Sequence, residues 1–192
     1  MTSILDTIQQ QLGPTAIQQI SNSIGANPQA TANAVSMALP ALLAGLSRNA
    51  SNPQGAAALD RALDAHDGSI LDNLGGLLGG GAGAGIGGAI LGHIFGPKQG
   101  PVEQGVGKAS GLNAQQVAQL LMMLAPIVMG VLGRAKRENG LNQQQLPNVL
   151  KQSTGQLPGG LGSILDANHD GNVADDVMNM GKSVLGGFFG KK

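Results

Sequence analysis

Apolar residues near the start of the chain recur every three or four positions, which is the period of an α-helix that faces a core. The positions that share this face are Ile4, Leu5, Ile8, Leu12, Ile17, Ile20 and Ile24. Gly13-Pro14 divides them into two helices, because proline is favoured at the first position of a helix, and Gly25 ends the second. No run in the chain shows the period-two alternation of a strand, so the pattern predicts an all-α fold.

Two further helices begin at asparagine followed by proline. Asn27-Pro28 supplies a capping side chain and a first-turn proline, and Ser51-Asn52-Pro53 starts another helix that we expect to run through Leu63. The helix after Asn27 meets Pro40, with Ala41–Leu46 beyond it. Because an internal proline removes a backbone hydrogen bond, we expect a kink or a break there.

The second half of the chain repeats this plan at an offset of 86 residues. The matched pairs are Gly25 with Gly111, Asn27 with Asn113, Gln29 with Gln115, Val35 with Leu121, Pro40 with Pro126, Leu46 with Leu132 and Arg48 with Arg134. We interpret this as duplication of a helical unit, with a first repeat at 1–78 and a second at 89–192 that includes a C-terminal Asp-rich loop and helix. The alternative is two unrelated proline-containing helices.

A glycine-rich tract, Gly75–Gly96, lies between the two halves. The four-residue spacing of Gly79, Gly83 and Gly87 is found where membrane helices approach closely, and the tract is long enough for a span. No clustered Lys or Arg flanks it as an orientation signal. We therefore favour a flexible Gly/Ala linker at Gly79–Gly88, followed by a short helix whose Ile90, Leu91, Ile94 and Phe95 pack into the core.

The most apolar segment is Val117–Leu132, which reads VAQLLMMLAPIVMGVL. Apolar residues on nearly every face predict a helix that is buried on most sides, at the centre of the fold. Its methionines, Met122, Met123 and Met129, are compatible with an adaptable binding surface, but we favour a role in filling the core.

Composition excludes several classes of chemistry. Eleven basic and eleven acidic residues cancel, and the aromatic residues are three Phe with no Trp or Tyr, so the basic groove and stacking faces of a single-stranded nucleic-acid binder are missing. Without cysteine there are no disulfides, thiolate metal sites or cysteine nucleophiles. The start of the chain, Met1–Asp6, has no basic region or apolar core of a signal peptide, and we expect a cytoplasmic protein.

The sharpest chemical pattern is an Asp-rich loop near the C-terminus. Its candidate calcium ligands are Asp166, Asn168, Asp170, Asn172, Asp175 and Asp176. Alternating oxygen donors followed by Gly171 form the opening of an EF-hand loop, in which the side chains converge on one hard cation. Val177 stands where a standard loop has its bidentate Glu, so Asp175 or Asp176 must act instead. The alternative is a polar turn whose carboxylates cap a helix beginning near Ala174.

Other motifs carry less chemistry. Asp64–Gly68 echoes the acidic loop with one residue deleted, so we expect it to be metal-free. The metalloprotease, serine-hydrolase and Walker motifs are absent, and we predict no enzyme activity. The basic residues Arg134, Lys136 and Arg137 end the second proline-containing helix, where they complement its C-terminal dipole.

The chain resembles a bacterial family, the YidB-like group of domain of unknown function 937. The similar features are ILGHIFG at Ile90–Gly96, Gly111-Leu112, LLMMLAPIVMGVLGR at Leu120–Arg134, the D-x-N-x-D-G-x-x-x-D-D loop and the Gly/Phe tail. The resemblance implies an all-α fold with homeodomain-like helical arrangements and no established activity. The Gly/Ala insertion at Gly79–Gly88 departs from the family pattern.

These observations support three functional hypotheses. The leading one is a non-enzymatic protein that self-associates or binds a protein partner, with calcium stabilising its C-terminal segment. The second is a membrane-associated protein that uses Gly75–Gly96 as a glycine-zipper span. The third is a DNA-binding protein, suggested by the homeodomain-like resemblance and by Arg134–Arg137, although the neutral net charge argues against nucleic acid.

Overall fold

A computed structural model of the chain describes residues 4–66, 68–79 and 82–155. Within these residues the chain is helical and contains no strand, so the all-α prediction is confirmed. The helices are α1 (Ile4–Gln11), α2 (Pro14–Ile24), α3 (Pro28–Ala50), α4 (Pro53–Ala65), α5 (Leu74–Gly79), α6 (Ala82–Phe95), α7 (Gln99–Ser110), α8 (Ala114–Glu138) and α9 (Leu146–Gly155). Short 3₁₀ turns at Ser69–Asn73 and Gly96–Lys98 precede α5 and α7.

Asparagine caps fix where three of these helices begin. The Asn27 side chain accepts a hydrogen bond from the backbone N–H of Gln29 at 2.8 Å, and that of Asn52 accepts one from Gly55 at 2.7 Å. At the start of α8 two residues cap each other. The Asn113 side chain accepts a hydrogen bond from the backbone N–H of Gln116 at 2.9 Å, and the Gln116 side chain accepts one from the backbone N–H of Asn113 at 3.1 Å. The helix starts predicted at Asn27 and Asn52 are therefore confirmed.

The long helices α3 and α8 each contain a buried proline without ending at it. α3 runs from Pro28 to Ala50 through Pro40, and α8 passes through Pro126 in the same way. Of the two outcomes expected at Pro40, a kink or a break, the break does not occur, because the helix continues through the proline. An internal proline costs a helix about 3 kcal/mol, and apolar burial on both sides of Pro40 outweighs this cost, because Leu39, Leu42 and Leu43 are fully buried.

The centre of the fold is α8, as the sequence predicted. It contacts α1, α2, α3, α4, α6, α7 and the first 3₁₀ turn. Its side chains that are fully shielded from solvent are Val117, Leu120, Leu121, Leu124, Ala125, Ile127 and Val128. Residues from both sides of the predicted linker contribute to one apolar cluster around it.

Two described helices, α3 and α8, are long and apolar enough to cross a membrane. Within the fold, 56% of the apolar window of α3 and 72% of that of α8 are buried. Core helices of soluble proteins and N-terminal signal sequences have the same length and composition, so this property is weak evidence for a membrane span.

The region predicted to be a flexible linker is helical where the structure describes it. α6 begins at Ala82, so the residues from Ala82 to Gly88 belong to a helix that packs on α8. The physical reason lies in Gly87, which is buried at this crossing: a Cβ there would overlap the backbone carbonyl of Met122. Glycine here allows two helices to approach closely instead of providing flexibility. Farther along α6, Leu91, Ile94 and Phe95 are buried, as predicted.

The two proposed repeats share local geometry, although the duplication itself stays a prediction. α2 and α7 both end at a glycine in the left-handed region, Gly25 with φ 62° and Gly111 with φ 81°. The next helix in each case starts two residues later at an asparagine cap. The Gln116 side chain also donates to the Gly25 carbonyl at 3.1 Å, which joins the end of α2 to the start of α8.

Candidate functional site

The predicted calcium ligands lie outside the described residues. These are Asp166, Asn168, Asp170, Asn172, Asp175 and Asp176, and the description ends at Gly155. Within residues 4–66, 68–79 and 82–155, no group of three or more His, Asp or Glu side chains is placed to hold a metal ion. The calcium loop therefore stays a prediction from sequence.

The acidic echo contributes Asp64 to a cluster of ion pairs around Lys136. Asp64 Oδ1 lies 2.7 Å from Lys136 Nζ, and Asp60 Oδ1 lies 2.8 Å from the same atom. Lys136 also donates to the Asp60 backbone carbonyl at 3.0 Å. These contacts tie the last turns of α8 to α4.

Arg134 makes a similar connection two residues earlier in α8. Its Nη2 donates to Asp72 Oδ1 at 2.8 Å and to the Gly68 carbonyl at 3.1 Å. Two of the three basic residues assigned to the helix dipole therefore bind acidic or carbonyl oxygens of α4 and the first 3₁₀ turn. These contacts pair both positive charges with carboxylates of the same chain.

The protonation of Lys136 is perturbed by its surroundings. Its side chain is 12% exposed, and this burial by itself lowers the pKa of the ammonium group. Hydrogen bonds to Asp60 and Asp64 and the charges of the two carboxylates act in the opposite direction and raise the pKa of Lys136 above its ordinary value of 10.5. The cluster therefore holds a lysine that is charged throughout the neutral range, which is appropriate for a structural tie.

The second candidate surface is one side of α6, here called the outer face. It comprises Gly85, Ile86, Ala89, Gly92 and His93, which recur at helical spacing and are all exposed. Ile86 is 49% exposed and is the large hydrophobic residue that the described part of the chain leaves most open to solvent. Its neighbours on this face are small, and His93 at one end carries the face's one titratable side chain.

Glycines on the two sides of α6 have opposite surroundings. A Cβ added at Gly87 would overlap Met122, whereas one added at Gly85 or Gly92 would meet no atom within 4 Å. The inner side is therefore closed by α8, and the outer face has room for further side chains. Sequence reasoning missed this surface because it assigned residues up to Gly88 to a linker. The signal that could have found it is the helical spacing of Gly85, Ala89 and Gly92.

The fold defines an all-α protein built around one buried helix, α8, with paired charges at the end of that helix and a mainly apolar outer face on α6. The chain belongs to the family described as "Bacterial protein of unknown function (DUF937)", which matches residues 6–135 and so covers more than half of the chain. The family resemblance drawn from the sequence is thereby confirmed. No curated protein and no solved structure matches the chain.

Proposed function

We propose that this protein is a non-enzymatic interaction or self-assembly protein and that its docking surface is the outer face of α6. The observation that carries the proposal is the exposure of Ile86 on a helix that is apolar on nearly all sides. Such a helix is normally buried all round, yet α6 is covered on its inner side and open on its outer face. Exposed apolar surface of this kind is typical of sites where proteins associate.

The chemistry of the outer face restricts the kind of partner. Four of its five residues, Gly85, Ile86, Ala89 and Gly92, carry no polar side-chain group. A partner that buried a charged side chain against them would lose the hydration of that charge without gaining a counter-ion. The surface therefore favours a small-residue or apolar protein face.

We favour a protein partner over a bilayer for α6. Its 14 residues extend about 21 Å at 1.5 Å per residue, whereas the hydrocarbon core of a bilayer is about 30 Å thick. The packing of Gly87 on α8 also engages one side of the helix within the fold. With its balanced charge and lack of cysteine, the chain is compatible with the cytoplasm, which we propose as its compartment.

We expect Ile86→Lys to abolish whatever stable complex the protein forms through α6. Lysine at this exposed helical position is tolerated by the monomer, but it places a charge at the centre of the apolar face. The measurement is co-purification of a tagged chain from the bacterium that produces it, followed by identification of bound chains, including untagged copies of itself. Gln104→Lys on the exposed side of α7 introduces the same charge elsewhere and is the matched control.

The proposal requires complexes that persist in the wild type and in Gln104→Lys but are lost in Ile86→Lys. A partner retained equally by all three chains, or no stable partner in any of them, would show that the outer face of α6 is not the docking surface. Circular dichroism of each variant establishes that the helical fold is intact.

We also propose that the Asp-rich loop binds calcium and orders the C-terminal segment. Support comes from the alternating donors Asp166, Asn168 and Asp170, followed by a glycine at the position where calcium loops turn sharply. Calorimetry on the full chain should detect calcium uptake that is lost in the double variant Asp166→Ala with Asp170→Ala. Asp64→Ala with Asp72→Ala removes two carboxylates from the described fold and should leave the uptake unchanged. A wild-type chain that takes up no calcium would refute the idea.

A further inference from the structure

A segment near the C-terminus repeats the sequence of the 3₁₀ turn that packs on α8. Residues 68–72, here called the first pentapeptide, and residues 162–166, the second pentapeptide, both read GSILD and are 94 positions apart. At the same offset five more residues are identical, which are Gly87 with Gly181, Leu91 with Leu185, Gly92 with Gly186, Phe95 with Phe189 and Gly96 with Gly190. Two matches in one order and at one offset indicate a duplicated segment.

The first pentapeptide packs on the C-terminal half of α8. A Cβ added at Gly130 would lie 2.7 Å from Ile70 Cγ2, so this glycine makes room for the apolar centre of the pentapeptide. Its two ends are held by Arg134, which donates to the Gly68 carbonyl at 3.1 Å and to Asp72 Oδ1 at 2.8 Å. A small residue and an arginine four positions later therefore receive the pentapeptide.

The same receiving residues recur on α3, where the described chain leaves them more open. At the offset of 86 that relates α3 to α8, the correspondences are Pro40 with Pro126, Ala44 with Gly130, Ser47 with Gly133 and Arg48 with Arg134. Ala44 and Ser47 are half-buried and Arg48 is exposed, whereas the two glycines on α8 are buried. Within the described part of the chain, no carboxylate pairs with Arg48.

We propose that the second pentapeptide docks on α3 of its own chain in the way that the first docks on α8. Ile164 then packs against Ala44, and Arg48 binds the Asp166 carboxylate and the Gly162 carbonyl. An arginine paired with a carboxylate forms a charge-assisted hydrogen bond, which gives the contact its orientation. The second pentapeptide lies outside the described residues, and the surface that it occupies is separate from the outer face of α6.

The docking must accommodate two differences between the repeats. Ala44 carries a methyl group that Gly130 lacks, so the second pentapeptide lies slightly farther from α3 than the first lies from α8. Asp166 is also a proposed calcium ligand. Its two carboxylate oxygens allow one contact with Arg48 and one with a cation.

The chain is long enough to bring the second pentapeptide back to α3. Pro147 of α9 lines the same cleft as Ala50 and Ser51, so α9 begins beside the C-terminal end of α3. From Pro147 to Gly155 the helix rises about 12 Å at 1.5 Å per residue. Gly162 follows seven residues later, and seven residues reach about 23 Å when extended. The return to α3 therefore needs no rearrangement of α9.

Cross-linking within one chain tests the packing of Ile164 on Ala44, because the chain has no native cysteine. The double variant Ala44→Cys with Ile164→Cys should form an intramolecular disulfide under mild oxidation, since a disulfide needs Cα atoms about 4.4–6.8 Å apart. The matched control is Asn33→Cys with Ile164→Cys. Asn33 is exposed on the same helix, about 16 Å from Ala44 at 1.5 Å per residue. Non-reducing electrophoresis at low protein concentration and peptide mass spectrometry measure the rate.

Hydrogen exchange followed by mass spectrometry tests the role of Arg48 without any cysteine. With a chelator present to remove calcium, Arg48→Glu should raise the exchange rate of residues 162–166 at least fivefold, because it places two negative groups together. Adding Asp166→Arg to this variant should restore most of the protection by reversing both charges of the pair. Arg61→Glu on the exposed side of α4 makes the same charge change elsewhere and should leave the exchange of these residues unchanged.

Each measurement can overturn the docking. It is excluded if the Ala44–Ile164 pair of cysteines links no faster than the Asn33–Ile164 pair or links only between chains. Exchange at residues 162–166 that is unaffected by Arg48→Glu, or equally affected by Arg61→Glu, would exclude it as well. Circular dichroism of every variant checks that the helical fold is intact, and Arg48→Gln provides a milder second variant that removes the charge without reversing it.

Discussion

Gly87→Ala should lower the free energy of unfolding by about 3 kcal/mol, the upper part of the range for an overpacked core. Gly87 lies where α6 crosses α8, and the added methyl group would overlap the carbonyl group of Met122. Because the obstacle is backbone, no rotation of a flexible side chain can relieve it. The two helices must separate, which disturbs the apolar contacts of Leu91 and Ile94 on the same side of α6. Denaturant unfolding monitored by circular dichroism measures the loss.

Gly92→Ala is the matched control on the same helix. An added methyl group there meets no atom within 4 Å, and alanine is favoured over glycine inside a helix by about 0.8–1 kcal/mol. At protein concentrations low enough to keep the chain monomeric, this variant should be as stable as the wild type or slightly more stable. Equal losses in the two variants would mean that α6 does not pack on α8 through Gly87.

Lys136→Met should also cost substantial stability, about 2 kcal/mol. Breaking a fully buried ion pair by removing one partner costs about 3–5 kcal/mol, and the smaller figure reflects the 25% exposure of the Asp60 side chain. The methionine keeps the apolar stem of the lysine while leaving Asp60 without its cation. Combining Lys136→Met with Asp60→Leu should recover most of the loss, because the buried charge is then absent.

Asp72→Asn provides the surface counterpart to this experiment. Asp72 pairs with Arg134, but its side chain is 73% exposed, so its removal should change stability by less than about 1 kcal/mol. A loss from Asp72→Asn as large as that from Lys136→Met would contradict the assignment of Lys136 as the main electrostatic tie between α8 and α4.

The raised pKa of Lys136 predicts that the stability provided by its ion pairs depends on pH. Burial lowers this pKa, but the hydrogen bonds and charges of Asp60 and Asp64 more than offset that effect, and the pKa in the folded protein lies above 10.5. A group whose pKa rises on folding contributes its full stability below the unfolded value and loses it as the pH passes the folded value. Unfolding followed from neutral pH to beyond the folded pKa should show an alkaline loss of stability in the wild type that is smaller in Lys136→Met with Asp60→Leu.

The local rules of helix formation were readable from sequence because they act within a few residues. Asn27 and Asn52 stand before proline and cap the backbone beside them, so the starts of α3 and α4 followed from residue type alone. The burial of α8 could also be predicted from sequence, since the apolar segment Val117–Leu132 has no polar face to expose to solvent. The family could be recognised from the same residues.

Three features were decided only by the tertiary structure: the conformation of the Gly/Ala run, the continuity of α3 at its proline, and the partners of the charged residues. Glycine has no side chain to mark a buried face, so a run of Gly and Ala has the same pattern whether it is a linker or a helix, and the contact between Gly87 and Met122 assigns it to a helix. Pro40 stays within α3 because packing from other elements outweighs its local cost. Lys136 pairs with Asp60 and Asp64, which lie more than 70 residues earlier in the chain. The periodicity of apolar residues cannot predict a contact between residues so far apart in sequence. Sequence determined the all-α class, the starts of α3 and α4 and which helix is central, because these depend on neighbouring residues. The fold determined which side of α6 remains open, because that depends on what packs against the other side.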